Sequence, residues 1–280
     1  MKADLHLHTT ASDGSLTPAE LTALAAGEGF DVIAVSDHDS VSGVLAAQEA
    51  GKQLGVSVIP AVELSCGAAK EIHILGYGVD ICNDALLDFC RARRENRKAR
   101  ARQMCAQLAE AGKPVSFDRV MELARGVVGR PHVARALLEA GHVTSIRDAF
   151  DRLLVPGKPG YVPKEDVRVA DAIRLIREAG GAAVLAHPME LKMGEMALEA
   201  LVGEWKTQGL DGIEVWHPSA ANNHAAYLER LARREGMLIT GGCDYHGPLV
   251  HEALIGEGLD RWKTVDQDIR TLYGRIACHQ

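Results

Sequence analysis

The feature that most constrains the fold is the alternation of short apolar runs with longer helical runs along the chain. Seven runs have the composition of strands, and they are ADLHLH (3–8), DVIAVSDHD (31–39), VSVIPAVELS (56–65), EIHILGYGV (71–79), GAAVLAHP (181–188), DGIEVWHP (211–218) and GMLITGGCDYH (236–246). Strand–helix alternation at this spacing is typical of a mostly parallel sheet. Seven strands favour a barrel over a two-layer sandwich, so we expect an α/β barrel.

The helices between the first strands carry their own boundary signals. The first helix is predicted to begin with Thr17 as N-cap, Pro18 at the first helical position and Glu20 completing a capping box. The second helix is predicted to end at Gly55, since glycine readily adopts the left-handed conformation that closes a helix.

The middle of the chain interrupts this alternation. Between residues 83 and 160 no run reads as a strand, whereas helices are predicted near 84–111, 116–124, 130–140 and 145–154. We therefore divide the chain into a barrel domain, residues 1–82 and 161–280, and a helical insertion, residues 83–160.

Composition restricts the class of protein. Of the 280 residues 47% are hydrophobic and 25% charged, which is ordinary for a globular chain. No apolar run approaches the roughly 18 residues of a membrane span, and the N-terminus lacks the core of a signal peptide. The six cysteines form no CxxC pair, which argues against a disulfide framework or a zinc ribbon. We expect a reduced, cytoplasmic protein with no membrane contact and no obligate protein partner.

The charge distribution does not indicate a general nucleic-acid-binding surface. The net charge is −7, whereas such a surface is basic. The run RARRENRKARAR at residues 91–102 holds seven Arg or Lys and one Glu, but its charges fall all round a helix. It lacks the interleaved aromatic residues on which bases stack, so we interpret it as mostly structural.

Potential metal ligands cluster at the ends of the predicted strands. They are His6 and His8, His38, Glu63, His73, His187, His217, and Asp244 with His246, while Asp13 lies in the loop after the first strand. Because the carboxyl ends of barrel strands meet on one face, these distant positions are expected to converge. A lone strand histidine is usually a packing residue, but a whole buried cluster of polar groups would be costly without metal.

These motifs resemble those of the PHP (polymerase and histidinol phosphatase) family. The resemblance rests on HLHTTASDG, SDHD, the strand of Glu63, IHILGYG, LAHP and CDYH, and it extends over nearly the whole chain. It implies a distorted (β/α)7 barrel with a trinuclear metal site. The ligands it implies are His6, His8, Asp13, His38, Glu63, His73, His187, Asp244 and His246.

The resemblance also implies how three divalent ions are shared. The first ion is assigned to His6, His8, Glu63 and Asp244, the second to Glu63, His73 and His187, and the third to Asp13, His38 and His246. Glu63 bridges two ions, which is sensible because a carboxylate has two oxygens. Mixed nitrogen and oxygen ligands suit Mn²⁺, Fe²⁺ or Zn²⁺ better than Mg²⁺, and we carry Mn²⁺ forward.

The implied reaction is hydrolysis of a phosphate monoester. Among residues outside the ligand set, we assign a catalytic role to His217, which could protonate the leaving alcohol or contact the phosphate, and to Asp37, as a carboxylate that orients His38. The alternative for His217 is a structural histidine before Pro218. Asp39 has two equal interpretations, a similar orienting role or the cap of the next helix. His142 and His279 are interpreted as structural or exposed.

The insertion suggests the substrate. Its segments VVGRPHVARALLEAG and KPGYVPKE resemble those of bacterial nucleoside 3′,5′-bisphosphate phosphatases, a subgroup in which some members also trim short RNA from the 5′ end. We assign substrate binding to Arg130, Arg135, Lys164 and, more weakly, His132, since Pro131 begins a helix whose N-terminus suits a phosphate. The alternatives are a phosphatase for histidinol phosphate or another small ester, and a non-catalytic metal-binding module.

Overall fold

A computed structural model describes residues 1–67, 71–124, 126–248 and 254–279. All seven predicted strands are confirmed, and they form one sheet in chain order. Their bounds are β1 Ala3–Leu7, β2 Val32–Val35, β3 Ser57–Cys66, β4 Ile72–Tyr77, β5 Ala182–Leu185, β6 Gly212–Trp216 and β7 Leu238–Gly241. The sheet curls until an isolated parallel bridge joins Leu7 to Tyr245, so the expected distorted barrel is confirmed.

One strand runs against the others. β4 pairs antiparallel with both β3 and β5, whereas every other neighbouring pair of strands is parallel. β4 follows β3 after only a few residues, and a connection that short cannot hold the crossover a parallel neighbour needs. As a result the beginning of β4, where His73 lies, sits at the edge of the sheet where the parallel strands end.

The four helices expected between residues 83 and 160 form close to their predicted bounds, the last of them partly as a π-helical turn. The helices are α1 Pro18–Gly27, α2 Val44–Leu54, α3 Asp84–Glu110, α4 Phe117–Ala124, α5 Arg130–Glu139, α6 Ile146–Ala149, α7 Val169–Glu178, α8 Glu195–Thr207, α9 Asn222–Arg234 and α10 Val265–His279. A π-helical turn extends α6 over Phe150–Leu154, and 3₁₀ turns cover Pro188–Leu191 and Leu259–Arg261. The capping box of Thr17 and Glu20 forms, and Gly55 closes α2 with a φ of 76°.

The two ends of α3 pack into different apolar cores. Leu86 and Cys90, in its first turns, pack into the core that joins the strands to α7, α9 and α10. Met104 and Leu108, in its last turns, belong to a second core built by α4, α5 and the segment after α6. No strand occurs among the described residues between 83 and 160, as expected. The division into a barrel and an insertion at residues 83 and 160 stays a prediction.

Two expectations from composition concern membrane-spanning helices and the state of the cysteines. None of the helices within the described ranges is long and apolar enough to cross a membrane. All six cysteines are free thiols, four of them buried and two exposed.

Candidate metal centre

Glu63 lies at the centre of the candidate site. It sits in β3 with no exposed surface, and its Oε2 faces three imidazoles. The distances from this oxygen are 3.3 Å to His6 Nε2, 3.3 Å to His8 Nε2 and 2.8 Å to His38 Nδ1. His6 and His8 both point inward from β1 because side chains two apart on a strand share a face.

The second oxygen of Glu63 faces a different pair of histidines. Its Oε1 lies 2.8 Å from His73 Nδ1 and 3.1 Å from His187 Nε2. Those two ring nitrogens are 3.2 Å apart, so both could bind one ion together with this oxygen. The geometry therefore gives Glu63 the arrangement expected of a bridging carboxylate.

Two further carboxylates complete the surroundings of the β1 histidines. Asp244 Oδ1 lies 2.9 Å from His8 Nε2 and 3.3 Å from His6 Nε2. Asp13 Oδ1 lies 3.3 Å from His246 Nε2 and 4.0 Å from His8 Nδ1, on the other side of the His8 ring. The loop after β1 thus folds back over the histidines, as the sequence predicts.

Donor atoms from these side chains fall into three groups of metal-binding size. Within each group one atom from every residue lies within 4.8 Å of the others, and the groups are His6, His8, Glu63 and Asp244; His8, Asp13, His38 and His246; and His38, Glu63 and His73. The first group equals the expected set, and the second adds His8 to its expected set. The third contains His38 in the place where His187 is expected, although His187 touches the same Glu63 oxygen as His73.

The donor set fits divalent metal. Several buried donors have no hydrogen bond from any described residue, among them His6 Nε2, both ring nitrogens of His8, Glu63 Oε2 and Asp244 Oδ1. Burial alone would raise the pKa of Glu63, yet His38, His73 and His6 hold it well below its usual range. Burial, with His246 close by, lowers the pKa of His8 to about 3.

The centre is partly accessible to solvent. The side chains of His6, His8 and Glu63 are fully buried, whereas those of Asp13 and Asp244 are 19% and 26% exposed. The side chains of His38 and His73 are 14% and 13% exposed, so the centre is open to small ligands at these four side chains.

A carboxylate that sequence reasoning missed orients two of the histidines. Glu214, buried in β6, lies with Oε1 3.0 Å from His6 Nδ1 and accepts the backbone N–H of His187 at 2.7 Å through Oε2. Fixing one nitrogen of His6 leaves the other directed at the donor cluster. An available signal was an acid between Ile213 and Val215 in a strand that is otherwise apolar.

The backbone around the centre is strained. Among described residues other than glycine, positive φ occurs at four positions, and two of them are His187 at 27° and Asp244 at 54°. Gly242 packs against His6 so closely that any Cβ would collide with the histidine side chain. Strain of this kind persists only where surrounding contacts hold it, and it often marks functional sites.

The two acids beside His38 have tasks other than orienting it. Asp37 accepts hydrogen bonds from Thr9 N at 2.8 Å, Thr9 Oγ1 at 2.7 Å and Ser12 Oγ at 2.6 Å, so it holds the loop that carries Asp13. This gives Asp37 a positioning task in place of the predicted contact with His38.

Asp39 neither orients His38 nor caps the helix that follows it. It accepts Arg97 Nε at 3.0 Å and Nη2 at 2.8 Å, and also Ser65 N at 3.1 Å. The N-cap of α2 is Gly43, so the capping interpretation of Asp39 is wrong. Its orienting interpretation is not supported either, because the carboxylate joins α3 to β3.

His217 presents a proton donor beside the cluster. Ser219 N–H donates to its Nδ1 at 3.0 Å, which leaves the proton of the neutral ring on Nε2. Burial lowers the pKa of His217 and so favours this neutral form. Nε2 is buried without a hydrogen bond from a described residue, and the ring centroid is 5.6 Å from that of His187. The neutral ring can donate a hydrogen bond from Nε2, whereas protonation of a leaving alcohol requires the imidazolium form, so the predicted general-acid role of His217 stays a prediction.

The substrate-binding candidates lie around the N-terminus of α5. Arg130 donates to Glu71 Oε2 at 2.9 Å, and Lys164 Nζ donates to Cys66 O at 2.8 Å. His132 is buried, and its Nδ1 accepts Gly129 N–H at 3.0 Å. Arg135 is about half exposed, with Glu139 as its ion-pair partner at 3.8 Å.

A seven-stranded barrel with three carboxylate–imidazole groups at one mouth defines a metal-dependent hydrolase. The model of the PHP domain matches residues 4–154, and the chain belongs to the PHP family. It is a metal-dependent phosphoesterase.

Several relatives align over most of the chain. A 3′,5′-nucleoside bisphosphate phosphatase of Chromobacterium violaceum is 37% identical, over 88% of this chain and 87% of its own. A 5′-3′ exoribonuclease of Salmonella typhimurium is 37% identical, over 88% and 85%. A phosphoribosyl 1,2-cyclic phosphate 1,2-diphosphodiesterase of Eggerthella lenta is 35% identical, over 88% and 95%.

A solved structure resembles the whole chain. It is a Bifidobacterium adolescentis protein proposed to be a metal-dependent phosphoesterase, with a TM-score of 0.85 and 29% identity over 98% of this chain and 96% of that one. The family expected from the motifs is therefore confirmed.

Proposed function

We propose that the protein hydrolyses the 3′-phosphate of nucleoside 3′,5′-bisphosphates, giving a nucleoside 5′-monophosphate and phosphate. The observation that carries this proposal is the 37% identity, over nearly full length, to a relative with that named activity. The donor atoms at the barrel mouth support it, since eight of the nine predicted ligands fall into three groups that could hold metal.

Three divalent ions, with Mn²⁺ favoured over Fe²⁺ and Zn²⁺, would be held by the six histidines and three carboxylates of the predicted ligand set. When bound, such ions polarise phosphoryl oxygens and provide a nucleophile at neutral pH. Glu214 keeps His6 oriented for this task, and Asp37 keeps the loop of Asp13 closed over the site. His217 would contact the phosphate through a hydrogen bond from Nε2 or, in its imidazolium form, protonate the leaving alcohol oxygen.

The second phosphate of the substrate would bind at the edge of the insertion. Arg130, Arg135, Lys164 and His132 are the residues proposed for it, and α5 directs its N-terminus to this region. Arginine suits the task because its planar fork donates two parallel hydrogen bonds to phosphate oxygens.

A panel of phosphate esters tests the proposal. We expect the Mn²⁺-loaded protein to prefer a nucleoside 3′,5′-bisphosphate over a 3′-monophosphate, histidinol phosphate and a ribosyl cyclic phosphodiester. A preference for histidinol phosphate or for the cyclic diester would overturn the proposed substrate while leaving the phosphoesterase class intact.

A variant at the α5 N-terminus sharpens this test. Hydrogen bonds to charged groups contribute about 1.5–3 kcal/mol, so Arg130→Ala should lower kcat/KM for the bisphosphate roughly 10- to 100-fold. Hydrolysis of the 3′-monophosphate should fall much less, because that ester has no 5′-phosphate to lose. An equal fall for both esters would make Arg130 a structural residue.

Two further assignments belong to the same proposal. We infer that short RNA is also trimmed from its 5′ end, because a relative of 37% identity is named for that activity. We also infer a cytoplasmic location, since six free cysteines suit a reducing compartment.

A further inference from the structure

Asp13 is a predicted metal ligand that lies outside the sheet, in the loop that follows β1. Glu63 and His73, by comparison, lie within strands. Asp13 Oδ1 is 3.3 Å from His246 Nε2, and Asp13 Oδ2 is 3.9 Å from His38 Nε2, so its carboxylate faces the two histidines that share the third ion with it. A ligand carried by a loop depends on neighbouring groups to keep it in place.

The barrel side of this loop is fixed by Asp37. Its carboxylate accepts Ser12 Oγ at 2.6 Å and Thr9 Oγ1 at 2.7 Å, and neither Ser12 nor Thr9 has exposed surface. These two bonds act on side chains of the loop. A separate contact acts on the peptide group that joins Ser12 to Asp13.

That contact comes from the α4–α5 segment, residues 126–129, which lies between two helices of the proposed insertion. Val127 N–H donates to Ser12 O at 3.0 Å. Because a peptide group is planar, a hydrogen bond to the carbonyl oxygen of Ser12 also fixes the direction in which the backbone enters Asp13.

Gly126 allows the segment and the loop to approach this closely. A Cβ at residue 126 would lie 2.8 Å from both Ala11 C and Ser12 O, and closer still to Thr10 O. These are backbone atoms, which cannot turn aside as the end of a flexible side chain can. A larger residue at position 126 would therefore push the segment and the loop apart.

The α4–α5 segment is itself anchored in the insertion. Val127 and Val128 are buried, and Val128 belongs to the apolar core that α4 and α5 build with the end of α3. The loop of Asp13 is thus held between Asp37 on the barrel and Val127 on the insertion. The position of Asp13 depends on how the insertion packs as well as on the barrel.

We propose that Gly126 and Val127 are positioning residues for Asp13, so that docking of the insertion sets the affinity for one metal ion, the one assigned to Asp13, His38 and His246. This inference rests on the three-ion centre of the proposed function, but it does not depend on which phosphate ester is hydrolysed. The two ions that share Glu63 are assigned no ligand from residues 9–16, so they should bind independently of the segment.

Counting the bound ions tests the proposal. Gly126→Ala, Asp13→Asn and the double variant are titrated with Mn²⁺, and bound metal is measured by equilibrium dialysis and mass spectrometry. Changing a group that orients a ligand weakens metal binding about 10- to 100-fold, so Gly126→Ala should weaken one ion by this factor and leave the other two unchanged. Because both substitutions act on the same ion, the double variant should keep the two ions that Asp13→Asn keeps.

Gly129→Ala is the matched control in the same segment. A Cβ at residue 129 would meet its nearest atom, Pro131 Cδ, at 3.4 Å, and the φ of −142° there suits any residue. Its Mn²⁺ binding should equal that of the wild type. Wild-type binding of every ion by Gly126→Ala, or an equal weakening of all the ions, would overturn the proposal, as would loss of a further ion in the double variant.

Hydrogen exchange tests the same coupling without altering the segment, should Gly126→Ala fail to fold. Coupling between two sites is reciprocal, so an ion at Asp13 should stabilise the hydrogen bond from Val127 to Ser12 by the factor that this bond contributes to the ion. Between Mn²⁺-saturated wild type and Mn²⁺-saturated Asp13→Asn, we expect exchange of the Val127 amide to accelerate by about 10-fold or more. The Lys113 amide, which donates to Leu108 O at 2.8 Å within the insertion, should change much less. Equal acceleration at both amides, or none at Val127, would contradict the coupling.

The number of ions separates this proposal from the proposed function. If the wild type binds fewer than three ions, yet Gly126→Ala and Asp13→Asn weaken the same one, the three-ion assignment is wrong and the coupling of the insertion to the metal centre stands. If three ions bind and none of them depends on Gly126, the coupling is wrong and the three-ion assignment stands.

Discussion

Glu63 is the residue on which the candidate centre depends most. Its two oxygens contact five imidazoles at 2.8–3.3 Å, and it has no exposed surface. Without cations between them, such a set of buried donors would leave unpaired polar groups, and this costs several kcal/mol. The stability of the barrel mouth around Glu63 should therefore depend on bound metal.

Replacing Glu63 by Gln should remove both metal and activity. Substitution of a residue that merely orients a ligand costs 10- to 100-fold in metal affinity or rate, so loss of a bridging ligand should exceed about 100-fold. Metal content by mass spectrometry and turnover of an aryl phosphate measure this directly. His142→Gln is the control, since the half-buried His142 ring contacts Pro114 O at 2.9 Å and is not one of the predicted ligands. Wild-type metal content together with a wild-type rate would exclude Glu63 from the centre.

Glu214→Gln should have a weaker effect of the same kind. The variant keeps the shape of the side chain but loses the charge that holds His6 Nδ1 and His187 N. We expect metal affinity to fall about 10- to 100-fold and activity to recover at high Mn²⁺ concentration. A rate that stays low at saturating metal would show that Glu214 acts on substrate rather than through His6.

Among individual residues, the sequence predicts the metal ligands better than it predicts the residues that position them. His6, His8 and Glu63 could be found because polar residues at strand ends stand out and because barrel topology brings those ends together. Glu214 was missed because its importance lies in its contacts with His6 and His187, and these depend on how the strands pack against one another. The expected contact of Asp37 with His38 failed for the same reason, since Thr9 and Ser12 reach the carboxylate instead.

At the scale of elements, β4 explains how His73 joins the centre. A parallel strand would place a residue near its beginning at the far end of the barrel from the other ligands. The antiparallel direction brings the second residue of β4 to the shared mouth. Composition reveals that a strand is present but not its direction, which here follows from the short connection to β3.

The long helix α3 joins the barrel to the proposed insertion through a buried ion pair. Asp39 is fully buried, the Arg97 side chain is 19% exposed, and both guanidinium contacts are at 2.8–3.0 Å. Asp39→Asn would leave the guanidinium without its charge partner, and breaking a buried pair typically costs about 3–5 kcal/mol. We expect a loss of this size in the free energy of unfolding, measured in urea at fixed metal concentration.

The double variant Asp39→Asn, Arg97→Met provides the control for this pair. Removing both charges should recover part of the lost stability, because no isolated buried charge remains. Additive losses in the two single variants would show that Asp39 and Arg97 do not interact energetically.

At the scale of the whole molecule, the negative net charge of the chain opposes binding of an anionic substrate unless the charge of bound metal ions is included. The chain carries a net charge of −7 but is proposed to bind a doubly phosphorylated nucleotide. Three divalent ions would bring six positive charges and nearly cancel that net charge. The remaining basic groups, on α3 and at the N-terminus of α5, lie next to the acidic mouth, so the loaded protein would present a local positive field to its substrate.

Removal of metal should therefore affect activity and stability together. Exhaustive chelation is expected to abolish hydrolysis, and added Mn²⁺ should restore it with up to three ions bound per chain. Each ion that binds only the folded state adds about 2.7 kcal/mol when its free concentration is 100 times its Kd, so the thermal midpoint should rise with Mn²⁺ concentration. His142→Gln should follow the wild-type curve, whereas Glu63→Gln should show almost no rise. Full activity in a stripped protein would contradict the metal-dependent mechanism, because the mouth of the barrel would then need no cation to balance Glu63, Asp244 and Asp13.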